Sequence, residues 1–95
     1  MVKVEEIEYF ESASNYVVAH TVGENHVLRK TLASLESELP PRMFVRISRS
    51  TIVNVNCIKE FQSGPVGESI LLLRDGKKLN MTRGIREVQD LLQYS

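Results

Sequence analysis

Asp75 and Gly76 stand between an unbroken apolar run, Ile70 to Leu73, and an alternating one, Lys77 to Met81. Asp-Gly is a strong two-residue hairpin signal, so the flanking segments are predicted to pair as antiparallel strands. In the second strand Leu79 and Met81 should face inward and Lys78 and Asn80 outward, while the first is expected to be covered on both faces. The same alternation of apolar run and turn recurs upstream. Tyr16 to Val22 puts Val17, Ala19 and Thr21 on one face, Gly23 to Asn25 turns the chain, and His26 to Arg29 returns as a second strand. Val4, Ile7, Tyr9 and Phe10 predict a first extended segment, with Glu6 and Glu8 on the solvent side of an edge strand and a polar turn over Glu11 to Asn15. Phe44, Val45 and Ile47 predict another strand, and Val55 to Phe61 a further one. Two short helices complete the pattern. Thr31 caps one whose Leu32, Leu35 and Leu39 form a stripe that Pro40 and Pro41 end; Thr82 caps one lined by Ile85, Val88 and Leu92. The expected fold is mainly β, a small antiparallel multi-sheet arrangement of six or seven or more short strands with two short helices, forming one domain over residues 1–95.

Several function classes fail on residue supply. The two histidines, His20 and His26, have no Cys, Asp or Glu beside them at ligand spacing, so no metal site is expected. No glycine-rich phosphate loop and no activated nucleophile stands out, and neither catalytic residues nor a cofactor are expected. Cys57, alone, can form no internal disulfide and is expected to be buried and inert. No apolar run approaches the ~20 residues a membrane crossing needs, and no signal peptide opens the chain, so cytoplasmic residence is the default.

The formal net charge of zero by itself argues against a nucleic-acid partner, since phosphate neutralisation supplies much of DNA affinity. The distribution argues the other way. Arg42 to Arg86 holds nine basic and three acidic residues, a local net charge of +6, and the remainder carries −6.

Three polar loops lie at the ends of apolar strands. Ser12, Ser14 and Asn15 precede the Tyr16 strand; an Asn there can bond adenine in the major groove, although Asn and Ser also simply form turns. Arg46 to Asn54 is the most informative stretch, because Ser48 to Thr51 breaks the apolar alternation unless it faces a partner. Arg pairs bidentately with guanine and neighbouring hydroxyls suit phosphate oxygens, the competing role for either arginine being a structural ion pair. Asn54, between Val53 and Val55, is expected to satisfy nearby backbone groups. The third loop is Asn80 to Gly84, where Arg83 in the first turn of a helix opposes the dipole, a misfit that a DNA contact explains.

In these blocks the chain resembles the LytTR-type DNA-binding domains, output modules of many bacterial two-component response regulators. The resemblance runs through Ile7-Glu8-Tyr9-Phe10-Glu11, Asn15-Tyr16-Val17, Leu28 to Leu39, Phe44-Val45-Arg46-Ile47-Ser48-Arg49-Ser50, Ile52-Val53-Asn54 and Leu79-Asn80-Met81-Thr82-Arg83. It implies an antiparallel β fold that sets loops into DNA grooves, with Asn15, Arg49 and Arg83 reading bases. Arg46, Ser48, Ser50, Lys77 and Lys78 are the implied backbone contacts. It also implies promoter DNA as the partner, dimers on repeated sites, and a receiver domain ahead of this segment in a longer parent chain. Two departures stand out: Ser48 replaces a usual His, and the sequence starts late, after the place of an extra N-terminal strand that family members commonly carry. An excised domain and a stand-alone regulator are both open expectations. The rival function is a protein-interaction module using an exposed strand edge or the Leu32 helix; a single-strand or RNA binder would need more exposed aromatics than three Phe and three Tyr supply.

Overall fold

The computed structural model describes residues 2–93. Five strands, β1 (Ile7–Ala13), β2 (Tyr16–Thr21), β3 (Asn25–Leu28), β4 (Phe44–Arg46) and β5 (Thr51–Asn54), form one antiparallel sheet in the order β3-β2-β1-β5-β4. Three more, β6 (Ile58–Ser63), β7 (Ser69–Leu73) and β8 (Lys78–Met81), form a second antiparallel sheet in sequence order. Helix α1 (Leu32–Glu38) packs on one face of the larger sheet, where Phe10, Val17, Ala19, Phe44 and Ile52 meet Leu32 and Leu35. The other face packs Tyr9, Val45 and Val53 against Ile58, Leu71, Leu73 and Met81 of the small sheet, and Val88 of α2 (Ile85–Gln93) closes this second core. The sheet is therefore covered on both sides around β5, which reads Thr-Ile-Val-Asn with all four residues buried, while edge strand β3 stays partly exposed.

Expectation and structure part at several places, each with a physical cause. β1 is central rather than an edge, and Glu8 is buried, because the pairing with β2 slips between Ile7 and Tyr9 and leaves Glu8 in a bulge. The extra residue lets Ile7 and Phe10, three apart, share the α1 face while Tyr9 turns to the other core. β1 also runs on through Glu11 to Ala13, so the expected polar turn shrinks to Ser14 and Asn15 between the paired Ala13 and Tyr16. Ser14 has φ 54, the left-handed conformation a tight hairpin requires. Val4–Glu6 and Val55–Cys57 are single 3-10 turns rather than extended chain. The β7–β8 connection is a three-residue loop: Gly76 N–H donates to Leu73 C=O at 3.0 Å, Leu73 N–H to Lys77 C=O at 2.8 Å, and Gly76 alone takes positive φ. Of the run expected to be covered on both faces, Leu71 and Leu73 are fully buried and Ile70 and Leu72 half-buried. Thr31 does cap α1, accepting from Ser34 N–H at 3.0 Å, whereas Thr82 caps nothing, since α2 starts only at Ile85.

Asn54 has the structural role expected of it. Its amide nitrogen donates to Ile7 C=O at 2.8 Å and its oxygen accepts from Asn56 N–H at 2.9 Å, tying β5 to the start of β1 and capping the turn into β6. Burial raises the pKa of the half-buried Cys57 thiol, as suits an inert cysteine. No helix among the described residues is long and apolar enough to cross a membrane.

Candidate nucleic-acid interface

The loop between β4 and β5 is the hub of one end of the molecule. Ile47 N–H donates to Thr51 C=O at 3.0 Å, closing the hairpin, while the Ile47 side chain is fully buried and anchors the loop in the core. Ser48 Oγ accepts from Ser50 N–H at 3.1 Å, a local turn typical of serine that sets the crest of the loop. On one flank Ser50 C=O receives Ser12 N–H at 2.8 Å, which ties the loop to the tip of the β1–β2 hairpin. On the other, Ile47 C=O accepts from both Thr82 N–H, 2.8 Å, and Arg83 N–H, 3.1 Å, tying it to the chain leaving β8. Gly84, at φ 73, fits against Arg46 C=O where no side chain has room.

Asn15, Arg49 and Arg83 thus sit on three loops stitched together at one end, and all three side chains are exposed. No side chain of the three makes a hydrogen bond or ion pair among the described residues. Arg49 and Asn15 line a groove of about 490 Å³ with Ser12, Tyr16, Lys30 and Arg46, between the hairpin tip, the start of α1 and the β4–β5 loop. Arg83 lies two residues before α2, directly ahead of Gly84, rather than in its first turn.

The other five site residues are placed differently. Arg46 is engaged internally: Nε donates to Ser48 C=O at 3.0 Å, one terminal nitrogen to Arg49 C=O at 2.7 Å, and the other meets Glu36 Oε1 at 3.2 Å. Ser48 is half-buried and Ser50 exposed beside Arg49; their hydroxyls meet at 3.3 Å, and that of Ser50 also lies 3.5 Å from the Thr51 hydroxyl. Lys77 lies at the far end of the molecule, 3.6 Å from both Glu8 and Asp75 and over the Tyr9 ring at 5.5 Å. Burial and the adjacent Asp75 carboxylate push the Glu8 carboxyl above the usual range, with Lys77 opposing them. Lys78 starts β8, about 13 Å of strand away from Thr82. A cleft of about 620 Å³ at that end is lined by Glu5, Glu6, Glu8, Glu24 and Asp75 together with Arg74, a lining of mainly negative charge. Sequence reasoning did not find Glu36, which lies ten residues before Arg46 on the exposed side of α1, nor Tyr16 and Lys30 in the groove; no local pattern marks them.

A family model described as the LytTr DNA-binding domain matches residues 1–93. Over 94 residues, 98% of the chain, the sequence is 34% identical to the sensory transduction protein LytT of Bacillus anthracis, and over 93 residues it is 30% identical to that of Bacillus subtilis strain 168. The chain spans 38% and 39% of the length of these two curated relatives. In fold it is similar to a solved LytTr DNA-binding domain from Bacillus cereus, with a TM-score of 0.84 at 24% identity, covering 96% of this chain and 84% of the other.

Proposed function

The chain belongs to the LytTr DNA-binding domain family, and from that premise we propose that it reads duplex DNA sequence-specifically, setting Asn15, Arg49 and Arg83 against base edges. The observation that carries this reading is the set of three exposed side chains without partners on three mutually anchored loops. Unpaired donors on a rigid support are what direct readout needs: Arg bidentate on guanine, Asn on adenine. Ser50 is the hydroxyl best placed for a phosphate beside them. The acidic cleft at the opposite end would turn away from a polyanion and orient the approach. Binding as a dimer to promoter repeats, as the output domain of a transcription regulator, extends the same reading.

Selection from a random duplex library at near-physiological salt tests it, with Arg49→Ala and Arg83→Ala in parallel. Each variant is expected to lose ~1–3 kcal/mol of discrimination at one base pair, a different pair for each. A loss equal on all sequences would reassign that arginine to phosphate contact. No enriched motif, with partner binding insensitive to salt and nuclease, would favour the protein-interaction module.

Lys77 and Lys78, the other two backbone contacts that the resemblance implies, lie away from the three loops, and that position supplies a control. Lys78→Ala is expected to leave the slope of log K against log salt unchanged. A slope shallower by about one would return Lys78 to the DNA backbone.

A further inference from the structure

We infer that Arg46 and Glu36 form a brace that positions Arg49 for base reading, so that the specificity of the site depends on an acidic residue of α1 that touches no DNA. This rests on the proposed reading of Arg49.

The loop that carries Arg49 is short, and its backbone carbonyls at Ser48 and Arg49 both point at one guanidinium, which donates to them at 3.0 and 2.7 Å. A third donor of the same planar group meets Glu36 at 3.2 Å. The Arg46 side chain is 16% exposed and its bond to Ser48 C=O is partly buried, which holds that geometry more firmly than full solvation would, while its bonds to Arg49 C=O and Glu36 lie at the surface. The rigid fork serves three acceptors in three directions at once, which a lysine ammonium on a flexible stem cannot reproduce. Glu36 fixes the outer edge of the fork from α1, an element that the first core already holds through Leu32 and Leu35. The path runs from packed helix to carboxylate to guanidinium to loop carbonyls, and its end is the Cα from which the Arg49 side chain projects. A base contact misplaced by an ångström loses its second hydrogen bond, and with it most of its discrimination.

The alternative role for Arg46 is a phosphate contact, and the two roles predict opposite results. Arg46→Lys keeps the charge. As a phosphate contact it would retain affinity, salt slope and the preferred site; as a brace it is expected to lose about tenfold in preference at the base pair that Arg49 reads, with the salt slope unchanged. Glu36→Ala separates them further. Removing a negative charge near a polyanion should by charge alone strengthen binding to every sequence, whereas loss of the brace is expected to blur that same base pair, with Glu36→Gln restoring part of the preference because its amide oxygen still accepts.

The experiment is duplex selection on the full chain with Arg49→Ala, Arg46→Lys, Glu36→Ala and Glu36→Gln side by side, after circular dichroism has shown each variant folded. If Arg49→Ala blurs one base pair and Arg46→Lys and Glu36→Ala blur the same one, the brace stands. If Arg49→Ala blurs it and the other two leave it sharp, the brace is overturned and the base-reading role of Arg49 survives. If Arg49→Ala blurs no position, the reading on which the brace rests has failed, and the brace with it. Should Arg46→Lys not fold, the two Glu36 variants decide alone, since an exposed residue of α1 carries little of the core.

Discussion

Gly84→Ala is expected to lower folding stability by about 3 kcal/mol, summed from a non-glycine residue at positive φ and an overpacked contact. An added Cβ would sit 2.4 Å from Arg46 C=O and 2.8 Å from Val45 Cγ1, at φ 73. Neither neighbour can yield cheaply. Arg46 is paired with Ile52 in the sheet, and Val45 belongs to the core formed with Val53, Leu71 and Val88. For a domain whose whole stability is of the order of 5–10 kcal/mol, this is a large fraction. The denaturant midpoint should fall with an unchanged slope; a fall under about 0.5 kcal/mol would mean the chain after β8 does not press on β4. DNA binding should suffer in any molecules that stay folded, because the same shift moves Arg83 away from the β4–β5 loop.

Asn54→Ala is expected to cost about 2–4 kcal/mol, through two backbone groups left unsatisfied and a small void. Asn54 is fully buried, and both ends of its amide are used, on Ile7 C=O and on Asn56 N–H. Asn54→Asp sorts the two bonds. It keeps an acceptor for Asn56 but sets a carboxylate against the Ile7 carbonyl, so its loss near neutral pH should equal or exceed that of the alanine variant. Chemical denaturation of both variants provides the check. A loss below about 1 kcal/mol for both would place water, rather than Asn54, at Ile7 C=O.

What could be read from the sequence follows from how local each signal is. Val17, Ala19 and Thr21 face inward because alternation is a property of one strand alone, and Thr31 caps α1 because its partner is three residues away. The bulge at Glu8 left no such mark. A buried Glu among apolar residues reads as a solvent-facing one until the slipped register between Ile7 and Tyr9 is seen. Thr82 had the right residue type for a cap, yet the Thr82 and Arg83 amides are taken by Ile47 C=O, a partner thirty-five residues before Thr82. The same holds at the interface. Asn15, Arg49 and Arg83 could be singled out as polar residues at strand ends, and the structure brings their loops together. Arg46, which the resemblance implies as a backbone contact, also bonds the loop and Glu36, and Lys77 lies near Glu8 and Asp75, since a sequence counts charges without showing which have partners in the fold.

The single oxygen of Ile47 that receives two amides from the chain after β8 bears on how such a grip can change over time. These bonds set the gap between the loop carrying Arg49 and the loop carrying Arg83 through backbone atoms, so substitutions of the Arg49 or Arg83 side chain leave that gap as it was. Under the proposed reading, a descendant of this domain would acquire a new vocabulary of bases one letter at a time, while the spacing between letters is inherited intact. Lengthening or shortening either loop would sever that inheritance and demand a different arrangement altogether.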